Sequence, residues 1–168
     1  MRQALLAVGA VLCRAALPAD VLQQPLAAEL ASGKLGRLQL KNTKNTQYSG
    51  FIAVGTPPQL LSVIFDTGSN SLVLTSDKCY QISCLMHNRF KPGQSSTYTD
   101  ASKSVTMNFA GGSVEGPMGF DTVSVGGLEA PTQSLLSIKT HSVQGYAAGA
   151  FDGILGIGME VVSPHPAH

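Results

Sequence analysis

The apolar run Leu61-Ser62-Val63-Ile64-Phe65 leads directly into Asp66-Thr67-Gly68-Ser69. A carboxylate at the end of such a run, followed by a hydroxyl residue and a glycine, is presented on a tight turn. Placing a charge there is costly unless it has a purpose, so the position reads as chemistry rather than packing. A solvated turn aspartate is the bland alternative, and it suits Asp-Gly turns in general better than a strand end. The chain has ten acidic residues, and none besides Asp66 begins an Asp-Thr/Ser-Gly triplet. Half of an acid–base pair is visible.

The rest of the pattern is β. With Gly 18 and Pro 9 and many Val, Ile, Thr and Ser, short strands joined by tight turns are expected, so the fold class is all-β. Strands are expected over 50–54, 59–65 and 71–75, with Gly55-Thr56-Pro57-Pro58 turning between the first two. Residues 77–100 read as a surface loop. Ser104 to Phe109 alternates, Ala110-Gly111-Gly112-Ser113 turns, and Val114 to Phe120 returns, giving a glycine-tipped hairpin. Asp121 reads as a strand-end residue, and 121–125 extends the returning strand to Gly126-Gly127. Phe151 to Gly158 is a buried apolar strand whose glycines permit close backbone approach. Leu38 and Leu40 alternate with polar residues, which predicts a first edge strand over Leu35 to Leu40.

Length and ends bound the organisation. A chain of 168 residues suits one domain with a real core. Basic and acidic residues number 11 and 10 with no basic stripe, which argues against a nucleic-acid partner. Residues 1–19 read as a secretory signal: Met1-Arg2 is the positive start, Ala4 to Cys13 the apolar stretch, and Leu17-Pro18-Ala19 the cleavage site. Arg14 is the objection to that reading. The stretch is too short to span a bilayer, and no later segment approaches that length, so no stable membrane span is expected. Residues 20–46, weakly amphipathic from Val21 to Leu30, form a leader or pro-segment remnant. Residues 47–160 form the folded lobe, and 161–168 a disordered tail.

Cys13 would leave with the signal, which keeps Cys79 and Cys84. Five apart, they can close a small disulfide loop in an oxidising compartment, which agrees with the secretory pathway. Two free thiols, or a zinc site completed by His87, are the alternatives. Zinc normally needs four ligands and only His87 lies nearby, so no metal or other cofactor is expected. His141, His165 and His168 read as solvent-exposed. No serine or cysteine triad assembles, and no Asn-x-Ser/Thr sequon occurs.

These segments together resemble the N-terminal lobe of a pepsin-like aspartic protease (peptidase family A1). The matches are Tyr48 to Gln59, Val63 to Ser69, Cys79 with Cys84, His87-Asn88-Arg89-Phe90, Ser95-Ser96-Thr97-Tyr98, Gly119 to Val123, and Phe151 to Gly156. A lone Asp-Thr-Gly is weak; seven segments in the right order are strong. The resemblance implies a single all-β lobe of the six-stranded-sheet type with a flap hairpin, the C-terminal lobe missing. It implies Asp66 as one catalytic aspartate of a pair. Thr67 would hydrogen-bond the facing lobe, Gly68 would bring its N–H to the carboxylate, and Ser69 would donate to the outer oxygen of Asp66. Ile154-Leu155-Gly156 would pack beneath the active-site turn, with Asp152 a structural hydrogen-bonder. The glycine-tipped hairpin would be the flap, with Phe109, Gly112 and Ser113 facing substrate.

Two positions depart from that pattern. Phe109 stands where the flap tyrosine is usual, and Val73 where a tryptophan is expected. Both polar partners are missing together, which is milder than losing one. The implied activity is acid endoproteolysis of a protein or peptide substrate, completed by a second lobe or, as a weaker alternative, by a homodimer. A non-catalytic single lobe, whether a peptide-binding or decoy module or a pseudogene product, is the competing expectation.

Overall fold

The computed structural model describes residues 36–144 and 146–158. The expected signal, residues 20–35 of the leader, and the tail lie outside the described residues. Among the described residues nine strands run β1 (Lys41–Thr43), β2 (Gln47–Val54), β3 (Gln59–Asp66), β4 (Leu72–Thr75), β5 (Thr99–Phe109), β6 (Gly112–Val125), β7 (Leu128–Ile138), β8 (Thr140–His141) and β9 (Gly153–Gly156). One helical turn, α1 (Ile82–Leu85), lies between β4 and β5. Among the described residues, no helix is long and apolar enough to cross a membrane.

The strands form a single mixed sheet in the order β1-β2-β3-β9-β4-β7-β6-β5, larger than the six-stranded expectation. Alternation sets the faces of its outer strands. Ile52 and Val54 of β2, with Leu61, Val63 and Phe65 of β3, turn into the core, while Phe51 and Leu60 remain exposed. Central β4 reads differently: all four of its residues are buried between β9 and β7, so its apolar run is unbroken. The 14-residue β6 pairs with β5, β7 and β8, and its Val123 and Ser124 also meet β2, which curls the sheet around its core.

That core has two parts. One gathers Ile52, Leu61, Val63, Phe65, Leu74 and Phe90, with Leu38 and Leu40 packed against it. The other gathers Val73, Met107, Val114, Leu136, Ile138 and Tyr146, with Phe109 and Phe151 packed against it. The sequence pattern misplaces the first strand. Residues 36–40 form no strand, because Leu38 and Leu40 serve as core plugs, and the edge strand is the polar Lys41–Thr43. Asp121 sits inside β6 at a register shift rather than at a strand end, fully buried. Its carboxylate accepts from Thr97 Oγ1 at 2.6 Å, Thr122 N at 2.8 Å and Ser95 Oγ at 3.1 Å, so β6 passes through it uninterrupted.

Candidate active site

Asp66 ends β3 half-buried, and its own turn solvates it. Gly68 N donates to Oδ1 at 2.9 Å, and Ser69 Oγ donates to Oδ2 at 2.6 Å. An ionised carboxylate has about four acceptor sites, so each oxygen keeps capacity for a further partner. Thr67 and Gly68 are exposed on the turn.

The turn rests on β9. This strand runs parallel to β3, placing Ile154 beside Ile64, Leu155 beside Phe65 and Gly156 beside Asp66. Beyond it, Ile157 N donates to the Asp66 carbonyl at 2.8 Å and Gly158 N to the Ser69 carbonyl at 2.7 Å, while Gly156 N reaches the Ser71 carbonyl at 2.9 Å. Three consecutive amides thus hold the backbone from Asp66 through Ser71. A Cβ on Gly156 would come within 2.6 Å of Asn70 N, and one on Gly158 within 2.6 Å of the Thr67 carbonyl.

Asp152, at the entrance to β9, is 4% exposed and joins three elements. Its carboxylate accepts from Ser62 N of β3 and Asn88 N at 2.9 Å each and from Asn88 Nδ2 at 3.2 Å, and its carbonyl accepts from Thr75 N of β4 at 2.8 Å. It is a structural hydrogen-bonder by geometry.

In the hairpin, Phe109 pairs with Gly112 and leaves Ala110-Gly111 as the tip. Phe109 and Val73 belong to one apolar cluster, so hydrocarbon side chains stand where the resemblance implied two polar groups. Gly112 has φ 140°, and a Cβ there would meet the Ser142 carbonyl carbon at 2.8 Å. Ser113 is committed within the fold. Its N–H donates to Ser142 Oγ at 2.9 Å, its carbonyl accepts from Ser142 N at 2.9 Å, and its hydroxyl is 2.9 Å from Ser142 Oγ. Gly112 and Ser113 therefore face the segment after β8. No local pattern signals this, because the serine that binds Ser113 lies 29 residues away.

Cys79 and Cys84 are joined as a disulfide, so no thiolate remains to share a metal with His87. His87 instead stacks against Tyr146 at 4.8 Å with Nε2 at 3.0 Å from the Tyr146 carbonyl. Among the described residues no cluster of three or more His, Cys, Asp or Glu side chains forms. His141 is not the free surface residue expected. Its ring lies 4.3 Å from Tyr146 and its Nε2 is 2.7 Å from Ser83 Oγ. Burial, reinforced by His87, holds its imidazole below the ordinary histidine range. Burial also pushes the Tyr146 phenol up to about 12, against the lowering effect of its hydrogen bond to Thr75.

The site is thus an aspartate on a hydroxyl-glycine turn, braced from behind by a parallel glycine-rich strand. The chain belongs to the family described as eukaryotic aspartyl protease, which it matches over residues 47–166. It is 47% identical over 119 residues to Pepsin-2B of Gadus morhua, covering 71% of this chain and 37% of that protein. It is 44% identical over 125 residues to aspartic proteinase oryzasin-1 of Oryza sativa subsp. japonica, covering 74% and 25%. Against Pepsin II-2/3 of Oryctolagus cuniculus it is 39% identical over 128 residues, covering 76% and 33%. The matched part thus spans about a quarter to two-fifths of the length of these curated relatives.

Proposed function

We propose that this chain is the N-terminal lobe of an aspartic endopeptidase and that Asp66 is one of its two catalytic carboxylates. The supporting observation is the hydrogen-bonding of Asp66: one donor to each oxygen, on a turn held from behind by Ile157 and Gly158. In such a pair two aspartates share one proton, because like charges about 3 Å apart cannot both ionise. The ionised member takes a proton from a water as that water attacks the peptide carbonyl. The protonated member donates a hydrogen bond to the carbonyl oxygen. Asp66 supplies one of these roles and a second lobe the other.

Thr67, exposed on the turn, would hydrogen-bond that lobe, and the β5–β6 hairpin would serve as the flap over a protein or peptide substrate. The Cys79–Cys84 disulfide supports passage through the secretory pathway. The test joins this chain to a second lobe bearing its own Asp-Thr/Ser-Gly and assays proteolysis in acid. Activity that Asp66→Asn abolishes, with an unchanged circular dichroism spectrum, is expected. Cleavage that survives Asp66→Asn would remove Asp66 from the chemistry.

A further inference from the structure

We propose that the disulfide-closed loop between β4 and β5 is a docking tip for an anionic lipid surface, independently of the site around Asp66. The Cys79–Cys84 bridge closes a ring that holds Tyr80 80% and Ile82 82% exposed, with Leu85 and Met86 exposed just beyond. A loose loop of this composition could fold its apolar side chains inward. This one is held open by Gln81, whose amide pairs with the His141 backbone at 3.0 Å (donated by Nε2) and 2.8 Å (accepted by Oε1), and by Ser83 on the His141 ring.

The neck of the loop has the opposite character. Asp77 N donates to the Phe90 carbonyl at 2.9 Å, so the two ends of the loop meet there, with Lys78 following on one side and Arg89 and Lys91 flanking on the other. Those three are the basic residues of the segment 77–91, against the single acid Asp77, one of whose carboxylate oxygens is buried. Side chains as exposed as Tyr80 and Ile82 form a convex tip rather than a groove. An apolar tip above a cationic collar needs an apolar layer beneath a negative surface, which is the depth profile of an anionic bilayer. A protein partner would need a concave apolar pocket with an acidic rim matched to this one loop. Leu85 and Met86 also border a shallow groove with Phe51, whereas Tyr80 and Ile82 lie outside it and carry the test.

Flotation of the purified chain with phosphatidylcholine vesicles, with and without phosphatidylserine, tests the assignment. Binding to the anionic vesicles is expected, reduced roughly fivefold by Lys78→Gln and about tenfold or more by Tyr80→Ser with Ile82→Ser. Both positions are exposed, so the fold is unaffected, and a circular dichroism spectrum checks this. Equal binding by the double variant, equal binding to neutral vesicles, or no binding to either overturns the proposal. So does lipid-free self-association that the double variant abolishes, which would assign the tip to a second copy of the chain.

Discussion

Gly156 lies opposite Asp66 in the parallel pairing of β3 and β9, and only a hydrogen atom fits on its α-carbon there. A methyl group would press on the amides of Asn70 and Ser71, which belong to the turn that presents the carboxylate. Gly156→Ala is expected to cost about 1–3 kcal/mol through overpacking against backbone that cannot swing aside. Urea unfolding measures this. An unchanged midpoint would show that β9 does not brace the turn.

Asp152 makes a second prediction, about the frame rather than the turn. Asp152→Ala would leave the amides of Ser62 and Asn88 without their acceptor in a part-buried site. With about 1–3 kcal/mol for each unsatisfied group, a loss of roughly 3 kcal/mol is expected. Asp152→Asn keeps one acceptor oxygen and should lose less. If the alanine variant unfolds within about 0.5 kcal/mol of the wild type, the junction is not structural.

Acid should weaken the contact between β8 and the disulfide loop. Burial, then His87, lowers the His141 pKa in the folded chain. Its ring faces Ser83 and Tyr146, with His87 near enough to oppose its charge, and Asp152 sits 3.9 Å from His87; Glu115 and Lys139 belong to the adjoining strand and connection. As pH falls through the unfolded value of about 6.5, the unfolded chain binds a proton before the folded one. Stability then declines with falling pH and levels off once folded His141 is itself charged. His141→Gln should flatten that slope, and a proton NMR titration should place the His141 midpoint below that of a free histidine. A midpoint above it contradicts the assignment.

Ser142 anchors the hairpin tip through Ser113, and Gln144 N adds a bond to the Gly111 carbonyl at 3.0 Å. Ser142→Ala removes one hydrogen-bond acceptor from Ser113 N, worth about 1 kcal/mol. Hydrogen exchange at the Ser113 amide should accelerate roughly fivefold while β7 amides stay unchanged. Unchanged exchange at Ser113 would mean that the tip is held by packing alone.

Much of this lobe is legible in its residues because the decisive signals are local. The run ending at Asp66, the glycine-tipped hairpin and the apolar strand after Phe151, half-buried rather than buried, all combine alternation or an apolar stretch with a turn residue, and each appears within a few residues of its expected place. Other features have no local signature. Strand β7 begins with Leu128-Glu129-Ala130-Pro131 and becomes apolar only at Leu135, so its pairing with β6 decides its conformation. Asp121 becomes a buried hub only because Ser95 and Thr97 fold over it, more than 20 residues from their place in the sequence. His141 reads as an exposed connector until Tyr146 and Ser83 close around it.

Whether one carboxylate suffices is decided by acid proteolysis with the purified chain, shown by sedimentation to be a monomer. No Asp66-dependent cleavage is expected, since the water that Asp66 would polarise has no second carboxyl group to complete the proton exchange. A strictly monomeric preparation that digests protein, and loses that activity with Asp66→Asn, would contradict the half-site.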